Sequence, residues 1–214
     1  MSGAAGRFLT VEGIEGVGKT TQVMRLAAAL RERNIEHVVT REPGGTPLAE
    51  RIRDLVLNAH EEALPASAEL LLMFAARAVH LANHIEPHLR KGSWIICDRF
   101  TDATFAYQGG GRGVSAAAIG QLETMVQGTR RPDLTLLLDA PVAEALRRAR
   151  RRRAGAAQDR FEIEKVQFFE RVRSAYLARA AAEPTRVLVV DAGRDADAVA
   201  VQILGLLKAR SWIS

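Results

Sequence analysis

One cysteine in 214 residues, Cys97, leaves no partner for an intrachain disulfide, so a covalently stapled scaffold is excluded. Aromatic residues are scarce at 5%, and a core must therefore be built from Leu, Val, Ile and Ala. At 48% hydrophobic residues there is enough of that material to bury one. No run approaches the ~18 uninterrupted apolar residues that cross a bilayer. Residues 1–6, MSGAAG, lack the apolar centre of a signal peptide. These absences lead to the expectation of a cytoplasmic protein with no membrane partner. Lysine is rare too: there are four, so the basic groups are nearly all guanidinium.

The net charge of +5 first suggests a nucleic-acid partner. Its distribution argues against one. Residues 147–153 read RRARRRR, and those six arginines exceed the net charge, so the rest of the chain is slightly acidic. A local cluster of guanidinium groups suits a compact polyanion such as a nucleoside triphosphate as well as a polymer. It also suits a solvated basic helix face.

Five short apolar runs read as strands: Phe8 to Val11, His37 to Thr40, Trp94 to Cys97, Leu134 to Leu138 and Val187 to Val190. Helical patterns separate them. Lys19 to Arg33 places Val23, Leu26, Ala27 and Leu30 on one face. Ala49 to Leu57 repeats at helical spacing, and Ser67 can cap a long helix running to about Glu86. Gly109 to Gly113 reads as a flexible loop, with Ser115 as the next cap. The expected fold is α/β: a five-stranded parallel sheet with helices on both faces, in one domain over residues 1–214, with a mobile segment around 150–160.

Between the first run and the first helix stands Gly13-Ile14-Glu15-Gly16-Val17-Gly18-Lys19-Thr20, which fits G-x-x-x-x-G-K-[ST] in its strand–helix context. Glycines let backbone N–H groups turn inward around an anion, and the helix N-terminus adds positive potential. Lys19 reaches the β- and γ-phosphates, and the Thr20 hydroxyl ligates Mg²⁺. Gly13, Glu15, Gly16, Gly18, Lys19, Thr20 and Thr21 form the candidate ATP site. None of the three asparagines is followed by lysine, so the Asn-Lys-x-Asp signature of a guanine reader is absent.

Further motifs follow the other runs: TREPGGT after the second, CDRF on the third, AYQGGGRG soon after, and DRFE beyond the arginine tract. Open α/β sheets bind ligands at such strand ends. Arg41 and Arg99 can form a bidentate site for a second phosphate. Two anion sites side by side describe a phosphotransferase with a phosphorylated acceptor. With VEGIEGVGKTT, LLMFAAR and RRPDLTLLLD, these phrases make the whole chain resemble the thymidylate kinase family.

That resemblance implies ATP as phosphoryl donor, dTMP as acceptor, and Mg²⁺. It implies that Arg41 and Arg99 hold the acceptor phosphate and that Phe74 stacks on thymine. Arg77 and Gln108 would bond the base edge, with Thr104 nearby. Tyr107 would lie against the deoxyribose, and Glu15 would accept from its 3′-hydroxyl. Asp98 would touch the Mg²⁺ shell, Pro43 would be cis, and Ala192 would pack near adenine. Family members are commonly homodimeric, and the Ser67–Glu86 helix is the candidate interface. By residue type alone, a Phe at the helical spacing of Phe74 is usually a core residue, Tyr107 and Gln108 beside glycines also fit exposed loop positions, and Arg77 also fits a helix-face arginine paired with a carboxylate.

An acceptor phosphate is already ionised near neutral pH, so no general base is needed. Catalysis then rests on Lys19, Arg99 and one mobile arginine that stabilise the transferring group. Members of the family this chain resembles carry that arginine either in the phosphate loop, after the acid, or in a closing lid. The residue after Glu15 is Gly16, so the resemblance implies that the 147–160 segment supplies it. Arg153 is the favoured residue, with Arg151 and Arg160 as rivals. Alternative readings are a kinase for another monophosphate such as UMP or dUMP, and an ATPase that binds nucleic acid. His80, His84 and His88 recur every fourth residue, but no carboxylate or cysteine cluster completes a metal shell, and they read as a polar helix face.

Overall fold

The protein is described here by a computed structural model covering residues 6–58, 62–153 and 161–214. Its strands are β1 (Phe8–Glu12), β2 (His37–Arg41), β3 (Trp94–Asp98), β4 (Leu134–Asp139) and β5 (Val187–Asp191). They form one parallel sheet in the order β2-β3-β1-β4-β5. All of β1, and β4 up to its last residue, are buried, as strands covered on both faces must be. Each strand runs one residue past its apolar stretch, onto Glu12, Arg41, Asp98, Asp139 or Asp191. The carboxyl edge of the sheet is thus lined with charge. The chain passes from β3 to β4 across β1, so the crevice beside β1 lies at the switch point where such sheets bind ligands.

Helix α1 (Lys19–Glu32) buries Val23, Leu26, Ala27 and Leu30 against the sheet, the face expected from spacing. Helix α2 (Pro47–Leu57) starts at Thr46, whose hydroxyl accepts from Ala49 N at 3.3 Å. Helix α3 (Ala66–His80) starts one residue before Ser67. Pro65 occupies the cap position without a capping side chain, so the expected serine cap is not formed. The helical path also continues past Glu86. A widened π turn over Leu81–Ile85 leads into α4 (Glu86–Arg90), where Pro87 falls in the first turn and needs no N–H donor.

A second correction concerns the glycines. Helix α5 (Thr101–Thr104) runs on into a π segment, Phe105–Gly111, where a flexible loop was expected. Helix α8 (Phe161–Ala182) packs onto that segment. A Cβ on Gly110 would lie 2.5 Å from Ala175 Cβ, and one on Gly111 would lie 2.5 Å from the Phe168 ring. The glycines serve close approach rather than flexibility. Helix α6 (Ala116–Gln127) begins after Ser115 as expected, although that side chain makes no capping bond.

Helices α7 (Val142–Arg153) and α9 (Ala196–Ala209) complete the layers. One core cluster joins β1 and β4 to α1 and α9, and another gathers Phe8, Leu81, Ile85, Ile95, Cys97 and Phe100. Cys97 is therefore a core residue, and burial pushes its thiol pKa well up. Among the described residues no helix is long and apolar enough to cross a membrane. The expected mobile segment falls largely on 154–160. Those residues, Arg160 among them, and the Arg153 side chain lie outside the described residues.

Candidate active site

The loop between β1 and α1 closes because its glycines adopt backbone angles other residues avoid. Gly16 has φ +88°, and a Cβ there would sit 1.8 Å from the Ala145 carbonyl oxygen. Gly13 (φ +131°) and Gly18 (φ +95°) also occupy the left-handed half, Gly18 as the N-cap of α1. Lys19 arches back over the loop, its Nζ donating to Gly13 O at 3.0 Å and Ile14 O at 2.8 Å.

Burial, and then the Arg99 charge, lower the Lys19 pKa to about 7. A polyphosphate placed beside Nζ would favour the ammonium form and raise that pKa. At pH 8, ATP binding should therefore draw close to one proton into the protein. Calorimetry in buffers of different ionisation enthalpy reads this directly, and equal heats in all buffers would refute it.

The cleft above the sheet edge encloses about 490 Å³. Its wall brings together Glu15, Gly16, Gly18, Lys19, Thr20, Arg41, Asp98, Arg99, Tyr107 and Gln108 of the residues expected from sequence. Gly13, Thr21, Phe74, Arg77, Thr104 and Ala192 stand outside that wall. Ala192 is buried, and its carbonyl accepts from Arg148 Nη1 at 2.7 Å, which ties α7 to the loop after β5.

Three guanidinium groups stand near the acceptor end. Arg41 pairs with Glu50 at 2.9 Å, and that hydrogen bond holds the Glu50 carboxyl below its usual pKa. Arg99 has φ +73°, a left-handed angle that costs about 1–3 kcal/mol in a residue with a Cβ. The turn directs Arg99 Nη2 to the Tyr107 hydroxyl (3.0 Å) and Nη1 to the Tyr176 hydroxyl (3.3 Å). The third is Arg53, which sequence reasoning missed. It lies on α2, donates to Pro43 O at 2.7 Å and lines the cleft. Burial and the charge of Arg41 lower its pKa, and nearby Glu50 offsets them only in part. The Glu42–Pro43 bond beneath these groups is cis.

A buried chain of polar groups runs from Thr40 to Thr104. Arg77 Nε donates to Glu42 Oε2 at 2.7 Å, and one Nη donates to Thr104 Oγ1 at 3.0 Å. Glu42 Oε1 meets His80 Nδ1 at 3.1 Å, and His80 Nε2 meets Thr40 Oγ1 at 2.7 Å. His80 is fully buried, so the polar-face reading describes only half-buried His84 and His88. Among the described residues no cluster of metal-binding side chains forms.

Arg77 Nη1 and Gln108 Oε1 are both buried, and neither has a hydrogen-bond partner among the described residues. Phe74 is only 1% exposed and packs with Leu70 and Ile119, its ring covered by the Arg77 guanidinium at 4.8 Å. Met73 lines the cleft instead. One step along a helix turns a side chain by about 100°, and LLMF gives no phase by which to choose between neighbours.

Glu12 went unnoticed in the sequence because it ends an apolar strand. It is fully buried, accepting from Phe100 N at 2.6 Å and the Tyr176 hydroxyl at 2.7 Å. Burial, then Asp102, raise its pKa to about 7. Tyr176 therefore links Glu12 to Arg99 from the middle of α8. Asp98 Oδ1 is buried and takes no donor among the described residues.

A phosphate loop at the switch point, facing a second cluster of guanidinium groups across one cleft, defines a phosphotransferase of the P-loop nucleoside monophosphate kinase fold. Comparison with known proteins narrows this. Residues 11–203 match the family profile described as thymidylate kinase. A thymidylate kinase of Chromohalobacter salexigens is 58% identical over 210 residues, covering 97% of this chain and 98% of its own. One from Pseudomonas entomophila is 56% identical over 203 residues, covering 95% of each. The crystal structure of thymidylate kinase from Ehrlichia chaffeensis superposes with a TM-score of 0.78 at 33% identity, over 95% of this chain and 99% of that one. The chain belongs to the thymidylate kinase family.

Proposed function

We propose that this cleft transfers the γ-phosphoryl group of ATP to dTMP, giving dTDP and ADP. The observation that carries the reading is the pair of unpartnered buried groups, Arg77 Nη1 and Gln108 Oε1. One is a donor and the other an acceptor, the complement of thymine O4 and N3–H. A buried polar group without a partner is costly, so a base edge that satisfies both is favoured.

The remaining residues take roles consistent with their places. Arg41, Arg53 and Arg99 grip the acceptor phosphate. Met73 rather than Phe74 lies against the base. Tyr107 faces the deoxyribose, and Glu15 its 3′-hydroxyl. The loop amides and Lys19 hold the β- and γ-phosphates of ATP. The attacking oxygen belongs to an ionised phosphate, so these groups need only align it and stabilise the charge that spreads over the transferring group. Arg153, the last residue of α7, is proposed to add charge to the transferring group. Thr20 and the donor-free Asp98 Oδ1 fit a hard cation or its water, so these two would hold Mg²⁺. When bound, that ion would supply positive charge that neutralises the phosphates.

The same reading includes a homodimer. Leu71 on α3 and Leu48 and Leu57 on the adjacent α2 are 49–59% exposed and supply apolar surface for one, which sedimentation velocity would read. No observation favours the UMP or dUMP reading, or a nucleic-acid-binding ATPase. The deciding assay is ADP release with ATP, Mg²⁺ and a panel of monophosphates. dTMP should give the highest kcat/KM, and no turnover of dTMP would overturn the proposal.

A further inference from the structure

Glu69 lies in the first turn of α3 and is only 6% exposed. Its Oε1 accepts from Gln108 Nε2 at 2.7 Å and from Arg112 Nε at 2.8 Å. All three residues line the cleft. Paired with Arg112, the carboxylate offers acceptors only. An amide facing it must present its NH2 group, which sends the carbonyl oxygen to the other branch. That oxygen is the buried Oε1 with no donor among the described residues.

We propose that Glu69 sets base specificity by locking the orientation of the Gln108 amide, so that the site accepts a pyrimidine with a hydrogen on N3 and rejects one with a bare N3 lone pair. The inference rests on Gln108 as a base contact, as argued above. Thymine and uracil carry N3–H. Cytosine carries an acceptor at N3 and an amino group at C4. Cytosine N3 would be served by a flipped amide, which would turn its carbonyl oxygen onto the Glu69 carboxylate. Two acceptors would then stand about 2.7 Å apart with no hydrogen between them. Glu69 is thus a positioning residue that discriminates between bases through its hold on Gln108.

Glu69→Gln tests this, because a second amide can either donate or accept and so frees Gln108 to turn. KM for dTMP should rise about tenfold with kcat little changed. The dTMP-to-dCMP ratio of kcat/KM should fall by about tenfold or more. The dTMP-to-dUMP ratio should stay at its wild-type value, since both bases share the N3–H edge. A purely structural role would lower all three substrates together and leave both ratios unchanged, and that result overturns the inference. If E69Q folds poorly by circular dichroism, Glu69→Met releases the amide equally and is judged by the same ratios. Gln108→Leu separates the two levels. If it leaves the dTMP-to-dCMP ratio intact, the base reading fails and takes this inference with it. If it collapses the ratio while the Glu69 variants do not, only the role of Glu69 is lost.

Discussion

Replacing Lys19 with methionine should lower kcat by about 10³-fold while leaving the KM for dTMP within a few-fold of wild type. Nζ lies over the phosphate loop, bonded to the Gly13 and Ile14 carbonyls. Its charge therefore acts where negative charge builds as the γ-phosphoryl group leaves ADP. The acceptor is gripped by other side chains, so its binding is spared.

The same variant should melt higher than wild type at pH 7. A lysine with a folded pKa near 7 and an unfolded value near 10.4 is protonated more readily in the unfolded chain. Its penalty on the fold is full below about pH 7 and fades as pH rises toward the unfolded value. The melting advantage of Lys19→Met should shrink over that window. A variant with undiminished kcat would remove Lys19 from the transfer step. One that melts lower at neutral pH would contradict the burial argument.

The second large effect is on stability. Glu42→Ala should cost about 3–5 kcal/mol, because it strands the Arg77 guanidinium, which is 0% exposed, without its counter-charge. For a chain of this size that corresponds to a melting point lower by roughly 10 °C. The His80 ring loses its acceptor too. Pairing Glu42→Ala with Arg77→Leu should recover much of the loss, since the orphaned charge goes with it. A single-variant cost below about 1 kcal/mol, read by denaturant unfolding, would show that the pair is not an isolated buried contact.

The five apolar runs, the helices between them and the phosphate loop are legible because each is a local pattern. A buried strand must be apolar, and a backbone cradle must be rich in glycine. Glu12 escaped notice because apolar periodicity stops one residue before the strand does, and nothing local marks that last residue as buried against Tyr176 and Phe100. Arg53 escaped because nothing on an amphipathic helix marks which arginine faces a ligand. Phe74 was expected at the base from the family resemblance, yet its place is set by packing against Leu70 and Ile119. Gly109 to Gly111 looked flexible because a glycine needed for close packing has the same sequence as one needed for freedom. The packing partner, α8, begins 50 residues later.

The sequence by itself determined the α/β order, the anion cradle and the family. These depend on spacings short enough for one segment to display. The tertiary structure alone decided which side chains share a cleft wall, that Glu42 holds Arg77, and that Glu69 turns the amide of Gln108. Those contacts join residues 35 and 39 positions apart, and their geometry exists only once the sheet, α3 and the turns beyond β3 are packed together.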